Sequence, residues 1–194
     1  MKKLSSSNIK QMLFNETAQQ KILKKLFLNP DKEFSLSELA AQSSVRKENI
    51  GKILRYFEKN NIITIIRLKT IWQIHANQQN NLFVRMKITN NLQNVYHSGL
   101  VDFLNEYYNN PKTIILFGSY RKGEDISTSD IDIAIEDDSI KEYKITELKE
   151  LTEIEKYLQR KIQIHLFNKV YINKNVFNNI ANGIVLLGFL EVNL

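Results

Sequence analysis

The chain has no cysteine among its 194 residues, so neither a disulfide framework nor a thiolate zinc site can form. It also has no apolar run of membrane-spanning length, and the basic start MKKLSSSNIKQ is not followed by an apolar stretch. A cytoplasmic protein with no membrane role is the expectation. Only two prolines are present, and both read as helix stops: Pro30 within Asn29-Pro30-Asp31, and Pro111 after Asn109-Asn110. His75 and His97 have no partner at metal-ligand spacing. The length allows one large or two small domains with real cores, and two is the reading here.

Charge is divided unequally along the chain. Residues 1–80 hold fourteen Lys and Arg against six Asp and Glu, a balance of +8, whereas residues 81–194 hold thirteen against fifteen, a balance of −2. The basic part is therefore the part to test for nucleic acid.

Ser7 to Phe27 has helical periodicity, with a break at Asn15-Glu16-Thr17, because Thr17 followed by Gln20 has the form of a capping box that starts a new helix. Ser35-Leu36-Ser37-Glu38 is a second such box, opening a helix to about Gln42, and Ser43-Ser44 is a turn. A third helix runs from about Arg46 to Asn60, with Ile50, Ile53, Leu54 and Phe57 as its buried stripe. Gly51 inside it suggests close approach to a neighbouring backbone. Two β-rich runs follow, Ile62 to Arg67 and Thr70 to His75, joined at Leu68-Lys69; Trp72 reads as a core residue. The polar connector Ala76 to Asn81 marks the domain boundary, giving domains 1–80 and 81–194.

Three helices and a hairpin in that order resemble a winged helix-turn-helix domain. The resemblance implies that the third helix enters the major groove of double-stranded DNA and that the hairpin tip meets the backbone. On that reading Arg46, Lys47, Asn49, Lys52 and Arg55 face the groove, and Arg67 and Lys69 contact phosphate. The competing reading makes the same residues a solvated helix face on a dimerisation or protein-docking module.

In the second part, Leu82 to Tyr108 is helical with a weak point at Ser98-Gly99. Thr113 to Phe117 is a short apolar, β-branched run closed by Gly118, which fits a buried strand. Gly118 permits a tight turn, and Ser119 offers a hydroxyl and an N–H at a helix start, an arrangement that favours phosphate oxygens. After a polar loop comes Asp130-Ile131-Asp132-Ile133-Ala134-Ile135. Residues i and i+2 of a strand point the same way, so two carboxylates share one side while Ile131, Ile133 and Ile135 face a core. Magnesium, which joins one or two carboxylates to substrate phosphates and keeps several waters, suits that pair. An amphipathic helix is expected over Ile145 to Leu158, a strand over Ile162 to Phe167, a short helix over Val176 to Ala181 and a last strand over Ile184 to Val192.

Gly118-Ser119, ten intervening residues, then Asp130-Ile131-Asp132 resembles the motif of the polymerase-beta-like nucleotidyltransferases, most closely their minimal single-domain form. Together with the N-terminal half, the implied fold is α+β: a winged helix-turn-helix followed by a polymerase-beta-like nucleotidyltransferase domain, a mixed sheet packed with helices. The resemblance implies Gly118 and Ser119 as triphosphate contacts, Arg121 as a basic residue of the same loop, and Asp130 and Asp132 as ligands of Mg2+ or Mn2+. Active members carry a third carboxylate on the next strand, and laid on Lys161-Ile162-Gln163-Ile164 that position is Gln163. An amide can contact the metal or nucleotide but cannot accept a hydroxyl proton at neutral pH. His165 shares the face of Gln163 and is the candidate base or substrate contact.

Two functions follow as expectations. One is a Mg2+-dependent enzyme that moves a nucleoside monophosphate from a nucleoside triphosphate to a hydroxyl acceptor, which could be a partner protein, a small molecule or a nucleic-acid end. The other is a DNA-binding transcriptional regulator whose degenerate second domain senses nucleotide or makes a homodimer. A pure protein-interaction module is the third alternative.

Overall fold

The computed structural model describes residues 16–69 and 71–192. The expected helical residues Ser7 to Asn15 lie outside them. The chain divides into two compact units, the first ending at Asn77 and the second beginning at Gln78.

The first unit holds α1 (Ala18–Leu28), α2 (Leu36–Ser43), α3 (Lys47–Lys59) and an antiparallel hairpin, β1 (Ile63–Arg67) and β2 (Trp72–Ala76). Thr17 starts α1 with a complete capping box: its hydroxyl accepts from the N–H of Gln20, and the Gln20 side chain accepts from the N–H of Thr17. Ser35 caps α2 by accepting from Glu38 N–H at 3.1 Å. The reciprocal half is replaced by an ion pair of Glu38 with Lys32 at 2.7 Å. Ile22, Leu26, Phe34, Leu39, Ile50, Leu54 and Ile74 close the core with no exposed surface. Phe34 bridges Ile74 in both backbone directions, which ties the stretch between α1 and α2 to the hairpin. This is the winged-helix arrangement. Gly51 differs from its expectation: nothing stands within 4 Å of where its Cβ would be, so no close packing accounts for it.

The second unit opens with α4 (Asn81–His97) and α5 (Leu100–Tyr107), which separate at Ser98-Gly99. A five-stranded sheet follows, built from β3 (Thr113–Phe117), β4 (Ile131–Glu136), β5 (Lys144–Thr146), β6 (Ile162–Phe167) and β7 (Ile184–Gly188), in the order β5-β6-β4-β3-β7. Pairing is antiparallel except for β4 with β6. The sheet has helices in addition to α4 and α5: α6 (Gly118–Lys122), α7 (Thr152–Leu158) and α8 (Lys174–Ala181). Ile131, Ile133 and Ile135 are fully buried in one core with Leu104, Leu116 and Ile164, while Ala134 packs on the opposite face with Phe117, Phe167 and Ile180.

Two expected elements are different: the last strand, expected over Ile184 to Val192, ends at Gly188, and a helix starts late. The helix expected over Ile145 to Leu158 begins only at Thr152; before it lie strand β5 and a 3-10 turn at Lys149–Leu151. Ile145 and Thr146 are β-branched, and pairing with β6 satisfies their backbone groups better than an isolated helix start would.

Candidate active site

Three strand ends build the site. At the C-terminal end of β3, the chain turns at Gly118 with φ +74° into α6, carrying Ser119 and Arg121, both partly buried. Only glycine tolerates this turn, for two reasons. The left-handed backbone disfavours a Cβ, and a Cβ there would stand 2.9 Å from Cγ of Asp132 and closer still to its Oδ2. The Asp132 carboxylate thus lies directly against the turn expected to receive phosphate.

Asp132 is the second residue of β4, opposite Phe117 on β3 and Gln163 on β6. Asp130 immediately precedes the strand, and the next residue, Ile131, donates its N–H to Lys161 O at 2.8 Å. Each carboxylate has one neighbour from β6. Gln163 Nε2 donates to Asp130 Oδ2 at 2.8 Å, and His165 Nε2 lies 3.1 Å from Asp132 Oδ1. The structure therefore brings Gly118, Ser119, Asp130, Asp132, Gln163 and His165 toward one end of the three central strands. The hydroxyl of Ser129 accepts from Ile126 N–H and fixes the loop that delivers Asp130.

His165 is buried, its ring edge-on to Phe117 with centroids 4.8 Å apart, and its Nδ1 is hydrogen-bonded to the hydroxyl of Tyr143. Burial, and then the negative charge of Asp132, push the Tyr143 phenol above its usual value, so it stays protonated. Sequence reasoning did not find Tyr143: it lies 22 residues before His165, in a stretch with no motif of its own.

A buried polar cluster was also missed. Lys87 on α4 donates to the backbone carbonyl of Asp125 and pairs with Asp125 Oδ1 at 3.0 Å, both side chains being almost wholly buried. Asn91 Nδ2 bonds Asp125 Oδ1 and Tyr120 O, each at 2.9 Å, and Arg160 lies 3.6 Å from Asp125 Oδ2. The cluster pins the loop after α6 to α4. Its sequence signal was Lys and Asn in a helical stripe, since Phe83, Lys87, Asn91 and Val95 are the buried positions of α4 at intervals of four.

The donor set suits a hard cation. The two carboxylates, two residues apart on one face, each keep one oxygen, Oδ1 of Asp130 and Oδ2 of Asp132, beyond the β6 partner. Among the described residues no group of three His, Cys, Asp or Glu could hold a metal. Phosphate oxygens and waters would have to complete the shell, as magnesium commonly requires. Beside Asp130 opens a cleft of about 490 Å³ lined by Ser127, Thr128, Ser129, Thr152, Lys156 and Lys161, among others.

Residues 97–186 match the family model for the nucleotidyltransferase domain. The match spans the Gly118 turn, both aspartates, Gln163 and His165, and lies within the second unit with its mixed sheet and helices. No curated protein matches the chain. Among solved structures, the chain has 17% identity to one described as transcriptional regulator PA4135 (TM-score 0.34, covering 52% of this chain and 82% of that one). It has 15% identity to NadR in complex with 4-hydroxyphenylacetate (TM-score 0.34, covering 56% and 84%). Likenesses so distant carry no functional weight.

In the winged helix, Arg46 precedes α3 as its N-cap, and Lys47, Asn49, Lys52 and Arg55 are exposed on it; Lys69 is exposed in the wing loop. Arg67 is placed differently from its expected phosphate role. Its guanidinium is bonded to both oxygens of Glu58 at 2.8 and 2.5 Å and lies 5.0 Å above the Trp72 ring. Trp72, expected in the core, is half-buried and serves as that platform. No helix among the described residues is long and apolar enough to cross a membrane.

Proposed function

We propose that the second domain transfers a nucleoside monophosphate from a nucleoside triphosphate to a hydroxyl acceptor, and that the winged helix binds double-stranded DNA. One observation carries the enzymatic reading: Asp132 lies against a glycine turn that leaves no room for a side chain between carboxylate and backbone, while Asp130, two residues before it, lines a cleft. Mg2+ or Mn2+ held by Asp130 and Asp132 would neutralise phosphate charge and polarise the α-phosphorus. Gly118 and Ser119 present backbone N–H groups and a hydroxyl to the β- and γ-phosphates, with Arg121 adding positive charge. The acceptor hydroxyl gives up its proton to solvent, its oxygen bonds to the α-phosphorus as the bond to the β-phosphate oxygen breaks, and pyrophosphate leaves. In-line displacement needs attacker and leaving group on opposite sides. The cleft beside Asp130 supplies an approach distinct from the turn against Asp132. The acceptor, including a partner protein or a nucleic-acid end, is set by what that cleft admits.

Gln163 supports a second reading, a DNA-binding regulator whose domain holds nucleotide or forms a homodimer without turnover. The amide is engaged as a donor to Asp130 and takes no proton. Calorimetric titration of the full chain with MgATP and the other nucleoside triphosphates tests the site that both readings share. Binding that disappears in Asp130→Asn/Asp132→Asn supports it, and binding unchanged in that variant refutes it.

A further inference from the structure

Tyr143, His165 and Asp132 form a continuous chain of hydrogen bonds ending at a candidate metal ligand. A carboxylate can only accept, so His165 must carry a proton on Nε2 to bond Asp132. In the neutral ring Nδ1 is then the acceptor, and the Tyr143 hydroxyl donates to it. The ring is clamped besides by Phe117 on one side, and only 7% of its side-chain surface is exposed. Both ring nitrogens are thus engaged away from the cleft beside Asp130, and a base for the acceptor hydroxyl would need one of them free and facing it.

We propose that Tyr143 and His165 are positioning residues that fix the tautomer of the imidazole and thereby hold the Asp132 carboxylate for the cation. With Oδ1 of Asp132 on His165, Oδ2 is turned over the Gly118 backbone. Partners one step removed from a metal orient its ligands in this way and are worth about 10- to 100-fold in metal affinity. This inference rests on the nucleotidyltransferase reading of the site, and it gives His165 a different part from the base or substrate contact for which the sequence made it a candidate.

The test uses the full chain, with two readouts. Long-range nitrogen–proton NMR of the metal-free protein reports the His165 tautomer. Mn2+ electron paramagnetic resonance with inorganic tripolyphosphate, which makes no assumption about the base, reports metal affinity. The wild type is expected as the Nε2–H tautomer. Tyr143→Phe keeps the ring but removes the donor to Nδ1, so the ring loses its anchor on that side and Mn2+ binds about ten-fold more weakly. His165→Ala loses affinity to the same extent, whereas His165→Gln, whose amide can donate but cannot take a proton, stays within about three-fold of wild type. A wild-type ring protonated on Nδ1 overturns the proposal. So does unchanged Mn2+ affinity in Tyr143→Phe, and so does a His165→Gln as defective as His165→Ala. If the wild type shows the expected tautomer but binds no Mn2+-tripolyphosphate, the nucleotidyltransferase reading fails, and the positioning role fails with it.

Discussion

Gly118→Ala perturbs the site at its narrowest point. The position has φ +74°, and a left-handed alanine costs about 1–2 kcal/mol before any contact is considered. The added methyl would stand 2.9 Å from Cγ of Asp132, so one of the two must move. The Asp132 side chain is the softer, but moving it breaks the 3.1 Å bond to His165. For a domain of this size, each 1 kcal/mol is worth about 4 °C, so the strain alone lowers the melting temperature by about 4–8 °C. Displacement of one of two carboxylates should weaken divalent-cation binding at least about ten-fold. Scanning calorimetry of the full chain gives the first quantity, and Mn2+ titration with tripolyphosphate the second. Wild-type melting and wild-type metal affinity together in Gly118→Ala would refute the argument that this glycine is dictated by Asp132.

Replacing Lys52 and Arg55 by alanine should weaken duplex DNA binding and reduce the slope of log affinity against log salt by about 2, if both reach phosphates; an unchanged affinity and slope removes α3 from the interface. In the buried cluster, Asp125→Ala leaves Lys87 and Arg160 without their shared carboxylate and should cost about 3–5 kcal/mol. Lys87→Met, which leaves Asp125 its Arg160 neighbour, should cost less, and denaturant unfolding of the two variants would show the opposite order if the cluster is not organised around Asp125. Burial is the main cause that raises the Tyr108 phenol from 10.0 to about 12. Its folded pKa exceeds its unfolded one, so this contribution to stability is complete below pH 10 and drains as pH rises toward about 12. Tyr108→Phe should flatten that alkaline loss in melting temperatures, and an unchanged alkaline profile would contradict the assignment.

The aspartates were legible because strand periodicity makes a strong statement about faces: Asp132 could share a face with Asp130 only if Ile131, Ile133 and Ile135 were core, and all three are fully buried. The turn was legible from Gly118 itself, since apolar residues end there and a loop begins. What stayed hidden depends on distant pairing. Strand β5 exists because β6 offers it an edge, and nothing local to Lys144-Ile145-Thr146 distinguishes it from the start of the helix that follows. Tyr143 reaches His165 only because that strand brings it there. Arg67 was read as a phosphate contact from its place on the wing, whereas Glu58, nine residues earlier on α3, lies within reach once the hairpin folds back. Lys87 was the one omission with a readable signal, a cation in an apolar stripe whose partner, Asp125, is 38 residues away.

The central claim is that Asp130 and Asp132 serve phosphoryl chemistry at the α-phosphorus. Its most direct test is Mg2+-dependent transfer of label from α-phosphate-labelled nucleoside triphosphates, with protein and nucleic-acid acceptors offered to wild type and to Asp130→Asn/Asp132→Asn. The account predicts labelled acceptor with the wild type, abolished by the double substitution. Labelling that persists in the double variant would contradict it, as would a wild type that transfers nothing to any acceptor while binding nucleotide no better than the variant does.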